Sequence, residues 1–158
     1  MSLGELAQHQ ETARDEIRRA EPQRRSVFIS FTSEDLPEVN LLRGQAKNKD
    51  IELDFIDRSL QEPFRSENAE YIKRGLRERI RQASVTLVYL STDTHKSEWV
   101  DWEIRESRRQ GKGIVAMYAG DKSPVKLPRA LSELGIKPVR WSHDGLVRAI
   151  DEASKSRE

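Results

Sequence analysis

The chain contains no cysteine. Disulfides, thiolate nucleophiles and cysteine-ligated metals are excluded together, and the composition suits a reducing compartment. Its longest apolar runs are about eight residues, against the roughly twenty that span a bilayer. No basic segment near the start leads into an apolar one, so no signal peptide is expected. The expectation is a cytoplasmic protein with no membrane partner. A surplus of charge is also missing: 28 basic and 27 acidic side chains leave a formal net charge of +1. A dedicated nucleic-acid binder shows a strong basic excess, so no nucleic-acid partner is expected.

Several chemical signatures are absent too. No G-x-G-x-x-G follows the first apolar run, and no Walker-type loop or G-x-S-x-G elbow occurs. Dinucleotide dehydrogenases, P-loop enzymes and α/β-hydrolases are thereby disfavoured. His9, His95 and His143 lie far apart, with no carboxylate or histidine at zinc spacing, so no metal is expected.

What is present is one domain's length, 158 residues, of which 35% are apolar and 35% charged. With so few apolar residues, those that build a core must be concentrated in short segments. Residues 1–25 are polar, with Leu3, Leu6 and Ile17 the large aliphatics. They form an N-terminal extension in which 5–19 can be helical on a thin apolar stripe, ended by Pro22. From Ser26 to the end the chain reads as one α/β domain. Apolar runs at 26–31, 51–56, 84–90, 114–118 and 137–141 are expected to be strands. Between them, Leu36, Val39, Leu42 and Ala46 recur at helical spacing after the cap-like Thr32-Ser33-Glu34-Asp35. Ala69, Ile72, Leu76, Ile80 and Ala83 form the cleanest helical stripe. Ser97 is placed to cap a helix running to about Gln110, a short helical turn is expected near 131–134, and 144–153 reads as a closing helix. Residues 57–64 and 119–128 are loops.

Strands alternating with helices imply parallel βαβ units, and near-continuous apolar strands imply a sheet covered on both faces. The expected fold is α/β, flavodoxin-like: a doubly wound, five-stranded parallel sheet. Such sheets bind ligands beyond the carboxyl ends of their strands, at the switch in strand order. In this chain, 31–35, 57–64 and 91–99 make that edge, and the third leads into Glu103. A phosphoacceptor receiver domain shares the fold class. Glu34-Asp35 loosely resembles its acid pair, and Asp93 and Lys122 fall near its other positions, but strand three ends in Ser91-Thr92 and strand four in Tyr118-Ala119-Gly120.

Three segments together resemble a TIR domain, in particular the bacterial TIR-like group typified by the signalling subunit of Thoeris anti-phage systems. They are Val27-Phe28-Ile29-Ser30-Phe31 followed by acids, Val88-Tyr89-Leu90-Ser91, and Trp99-Val100-Asp101-Trp102-Glu103-Ile104. The resemblance covers residues 26–141. It implies cleavage of the nicotinamide–ribose bond of NAD as substrate, with no cofactor, and cyclisation of the ADP-ribose product into a second messenger for an effector protein in anti-phage defence. It also implies self-association, and it makes Glu103 the catalytic residue. Substrate-binding positions implied with it are Ser30 and Phe31 at the end of strand one, Asp57 and Arg58 in the loop after strand two, Ser91 after strand three, and Trp99. That loop, Asp57-Arg58-Ser59-Leu60-Gln61-Glu62-Pro63, lacks the glycine common near its tip.

Chemistry supports the assignment of Glu103. Nicotinamide leaves without needing a proton, so one fixed carboxylate that stabilises an oxocarbenium-like ribose is sufficient. Trp99 lies one helical turn earlier on the same face, while Val100 and Ile104 turn towards the sheet. The competing reading of Glu103 is a solvated acid that offsets the helix dipole. Two other functions stand beside NAD cleavage: a non-catalytic TIR-like assembly module, and a nucleoside deoxyribosyltransferase-like N-glycosidic enzyme. For Ser30 and Ser91 the alternative is ordinary strand-end hydrogen bonding, and for Arg58 and Arg65 a solvated loop charge.

Overall fold

The computed structural model describes residues 26–48, 51–56 and 62–156. The expected helix at 5–19, the extension that carries it, and loop residues Asp57 and Arg58 lie outside the described residues. Five strands form one parallel sheet: β1 (Val27–Ser30), β2 (Leu53–Phe55), β3 (Val85–Leu90), β4 (Gly113–Tyr118) and β5 (Val139–Arg140). Their order is β2-β1-β3-β4-β5, with every neighbouring pair parallel. This is the doubly wound, flavodoxin-like order, and the direction of winding reverses between β1 and β3.

Five helices cover the sheet: α1 (Leu36–Lys47), α2 (Ala69–Gln82), α3 (Glu98–Arg109), α4 (Arg129–Glu133) and α5 (His143–Ser156). The side-chain alternation of β1 assigns them to faces. Val27 and Ile29 point into a core made with Val39, Leu42 and Ala46 of α1 and Leu146 and Ile150 of α5. Phe28 points to the other face, among Ile72, Leu76 and Ile80 of α2. On that same face, Val100 and Ile104 of α3 pack on Val88, Leu90 and Ala116, together with Ala130 and Leu131 of α4. Six consecutive buried residues in β3 fit a central strand covered on both sides.

The helix starts follow local chemistry. Ser97 caps α3, its Oγ accepting from the Val100 N–H at 3.1 Å. The expected cap at 32–35 takes another form. Residues Ser33–Asp35 make a 3-10 turn before α1, and Thr32 makes no cap bond to backbone. Its hydroxyl donates instead to Asp35 Oδ2 at 2.9 Å, because that carboxylate is drawn towards β3. Asp101 Oδ1 accepts from the Ala130 N–H at 2.8 Å, which satisfies a free donor at the start of α4. No helix among the described residues is long and apolar enough to cross a membrane.

Gly113 opens β4 where α5 lies against it: a Cβ there would stand 2.4 Å from the Ala153 carbonyl oxygen. Because the obstacle is backbone, α5 must shift to admit a methyl. Gly113→Ala is expected to cost ~1–3 kcal/mol, within the range for overpacking. Chemical denaturation reads it as a lower midpoint at unchanged slope; an unchanged midpoint would contradict the close approach.

Candidate functional site

Glu103 sits in the second turn of α3, and its side chain is 0% exposed. That removes the solvated-acid reading. The residue lies there because α3 is amphipathic, with Val100 and Ile104 also fully buried. The turn that carries them turns Glu103 inward as well. The acid faces the carboxyl end of β1, where Ser30 Oγ donates to Glu103 Oε1 at 2.7 Å. Ser30 lies on the same sheet face as Phe28, so its hydroxyl meets the helix that covers that face.

The environment of this carboxyl is unbalanced. Oε2 is buried with no hydrogen-bond partner among the described residues. Burial pushes the Glu103 carboxyl up from 4.5 to about 8, and the Ser30 hydrogen bond pulls the other way, too weakly to restore it. A buried carboxyl with one oxygen unpartnered is incompletely compensated, and perturbed acids of this kind are common at functional sites.

A second set of hydroxyls holds the same turn of helix. Ser107 Oγ donates to the Glu103 carbonyl oxygen at 2.7 Å and lies 2.7 Å from Thr86 Oγ1 of β3. Ser107 and Thr86 are both 0% exposed. The α3 backbone at Glu103 is thus tied to β3 through Ser107 and Thr86, while the Glu103 side chain is tied to β1. The sequence reading missed Ser107 and Thr86. Their signal was the spacing of Ser107, one turn after the acid, and a polar residue in an otherwise apolar strand.

The loops beyond the switch point are linked to one another. Ser91 Oγ, after β3, donates to Asp35 Oδ2 at 2.7 Å, across the gap to the segment after β1. Thr94 supports it, its Oγ1 accepting from the Ser91 N–H at 2.8 Å. Asp35 and Ser91 thus close one wall of the edge at which Glu103 is held.

The anticipated site residues therefore separate. Ser30 and Glu103 are in direct contact. Ser91 is at the same edge, but its hydroxyl is turned to Asp35. Phe31 is 2% exposed in the core beneath α1, its ring 6.4 Å from that of Phe55; strand alternation turns it to the face opposite Ser30. The Trp99 indole N–H donates to the Glu62 carbonyl, and its ring meets Phe64 edge-on at 4.9 Å. Its polar edge is thereby occupied by the loop after β2. Arg65, exposed, pairs with Glu98 at 3.6 Å. Asp57 and Arg58 lie outside the described residues.

A family model described as "Thoeris protein ThsB, TIR-like domain" matches residues 28–124, well over half of the chain. Among solved structures, the TIR domain of the Toll-related receptor TRR-2 from Hydra magnipapillata is similar with a TM-score of 0.51 at 16% identity, over 80% of this chain and 91% of that one. The CMP N-glycosidase BcmB from Clostridium botulinum is similar with a TM-score of 0.50 at 14% identity, over 80% of this chain and 98% of its own. At such identities the likeness is one of fold. No curated protein matches the sequence significantly.

The raised Glu103 carboxyl has a consequence for stability. Below about pH 4.5 the group is neutral whether the chain is folded or not. Between there and about 8 the unfolded chain releases a proton that the folded chain keeps, so folding weakens as pH rises. Glu103→Gln copies the neutral form and does not titrate. The variant is expected to exceed the wild type in stability by an amount that is smallest near pH 4.5 and grows to the order of a few kcal/mol by about pH 8. Denaturant melts at several pH values measure it; a pH-independent difference would contradict the burial argument.

Proposed function

This chain belongs to the Thoeris ThsB TIR-like domain family, and on that footing we propose that it cleaves NAD at the nicotinamide–ribose bond, with Glu103 as the catalytic residue. One observation carries the reading: a single fully buried carboxyl at the switch-point edge, one oxygen held by Ser30 and the other unpartnered. In the reaction, the bond between ribose C1′ and the nicotinamide nitrogen breaks. The electron pair goes to the ring, which leaves neutral, and C1′ becomes oxocarbenium-like. Ionised Glu103 offers its free oxygen to that positive charge or to a ribose hydroxyl, while Ser30 fixes the other. The cationic nicotinamide ribose itself favours ionisation of the acid as it arrives.

Water capturing C1′ gives ADP-ribose. Capture by a nucleophile of the same molecule gives a cyclic product, which fits a messenger read by an effector protein. Self-association belongs to the same proposal, as the means of completing or activating the site. A second reading keeps the residue and changes the substrate: one carboxylate of this kind also suits the glycosidic bond of another nucleotide or a deoxynucleoside, and the similarly folded BcmB is named a CMP N-glycosidase.

Concentrated protein incubated with NAD, CMP and deoxynucleosides, with products read by mass spectrometry, separates the readings. Nicotinamide release from NAD is expected, and Glu103→Gln is expected to lower kcat/KM by about 10²–10³-fold, the range for losing a preorganised charge-stabilising group. Base release from CMP or deoxynucleosides alone selects the second reading. A folded protein with no turnover on any of them leaves the non-catalytic assembly role.

The acid's environment also predicts the pH profile. The carboxylate is the working form, so kcat/KM should rise with pH towards a limb near 8. A rate that falls across that range would show that the protonated acid is required.

A further inference from the structure

A cleft of about 450 Å³ runs between the later turns of α2 and the end of α3, and its walls are cationic. Arg74, Arg77 and Arg81 line it from α2, and Arg109 and Lys112 from α3 and the connection to β4. Two carboxylates stand against these five cations: Glu78 on the rim and Glu106, 6% exposed, behind them. The cleft therefore holds an excess of three positive charges, in a chain whose formal net charge is +1. Because α2 and α3 end just before β3 and β4 begin, the cleft lies towards the amino edge of the sheet, away from the carboxyl edge that holds Glu103.

Glu106 orders the cleft. Its carboxylate accepts from Arg109 Nε at 2.8 Å and from Gln110 Nε2 at 3.0 Å, and Arg77 Nε lies 3.8 Å away. Gln110 Nε2 also donates to the Arg77 carbonyl at 3.1 Å. Lys112 Nζ donates to the Arg81 carbonyl at 2.8 Å. The Arg77 guanidinium lies over the Trp102 ring, 5.4 Å from its centroid. Arg77 and Arg109 are thus held by a buried acid, while Arg74 and Arg81 are exposed at the mouth.

Basic residues in the last turn of a helix offset its dipole. That accounts for Arg81 and Arg109, but not for Arg74 and Arg77 in the middle of α2. Arg74, Arg77 and Arg81 follow one another at intervals of three and four residues. They form one ridge of like charges, which weakens a helix. A ridge kept at that cost suits a ligand that supplies the balancing negative charge. Guanidinium forks take phosphate oxygens two at a time and stay charged at any working pH. None of the residues lining the cleft is aromatic, so nothing there stacks a base.

We propose that this cleft binds a chain of phosphates, free or as the di- or triphosphate of a nucleotide, with Arg74, Arg77, Arg81 and Arg109 holding its oxygens. The site is independent of the catalytic reading of Glu103.

Isothermal titration calorimetry on the full chain tests it, with inorganic tripolyphosphate as the probe. Saturable binding at one site is expected, weakening as salt rises. Arg74→Gln combined with Arg81→Gln is expected to weaken it by at least about tenfold, the scale of losing charge-assisted hydrogen bonds. Both side chains are exposed, so this variant should melt as the wild type does; should it melt lower, Arg74→Gln alone carries the test. Arg129→Gln combined with Arg148→Gln removes the same charge from exposed positions on α4 and α5, and should leave binding unchanged. ATP that binds as tightly as tripolyphosphate supports a site reading phosphates alone. Tighter binding of ATP supports the site and makes a nucleotide the source. Absence of tripolyphosphate binding overturns the proposal, as does adenosine binding as well as ATP. Equal losses in the two double variants, or sulfate binding as well as tripolyphosphate, reduce the cleft to general charge attraction and overturn it too. A glutamate-rich peptide that binds where tripolyphosphate does not replaces the proposal with a docking surface for an acidic protein.

Discussion

One short contact, the Ser30 hydroxyl on the Glu103 carboxyl, holds a polar group in the interior of a sheet otherwise packed with aliphatic side chains. Ser30 and Glu103 are both 0% exposed. A buried acid with one hydrogen bond is only partly compensated. The fold tolerates it because everything around it is fixed. Val100 and Ile104 seat α3 on β3 and β4, and Phe28 seats α2 on the same face of β1. Ser107 and Thr86 hold the backbone at the acid itself. Free energy gained by burying the apolar stripe of α3 supports a carboxyl that would otherwise leave for water.

Around that contact two sets of contacts brace the carboxyl edge of the sheet. On one side Asp35, Ser91 and Thr94 join the segments after β1 and β3. On the other, Trp99, Phe64 and Lys73 join the loop after β2 to the helices. The exposed ion pairs on these helices, such as Arg81 with Glu78 and Arg105 with Asp101 and Glu133, lie on their outer surfaces and contribute little to stability. The bracing that positions the site comes from hydroxyl–carboxylate and aromatic contacts at the sheet edge.

Much of this architecture was legible in the sequence. Strand runs such as Val85–Leu90 are apolar but for Thr86, as suits a central parallel strand, and the Ala69 to Ala83 stripe and the Ser97 cap fixed two helices closely. Glu103 was singled out by the resemblance of residues 99–104 to the TIR pattern; its place after the third strand agreed with that reading but did not by itself distinguish it from a solvated acid. What escaped depends on side-chain direction across separate segments. The commitment of Asp35 to Ser91 joins residues 56 positions apart, and the tie between Trp99 and Glu62 joins residues 37 apart; no local periodicity encodes either. Phe31 was placed near the site by its position at the end of the strand, yet alternation sends its ring to the opposite face. The burial of Glu103 was the largest surprise, because an acid in the second turn of a polar helix is ordinarily solvated.

The account stands on the state of that carboxyl. Carbon-13 NMR of protein labelled at the glutamate side-chain carboxyl, with Glu103→Gln used to assign the resonance, titrates it directly. The account predicts a midpoint near 8 for Glu103, moving higher still in Ser30→Ala, where the hydrogen bond that favours ionisation is lost. A midpoint near the ordinary 4.5, unmoved by the loss of Ser30, would contradict it.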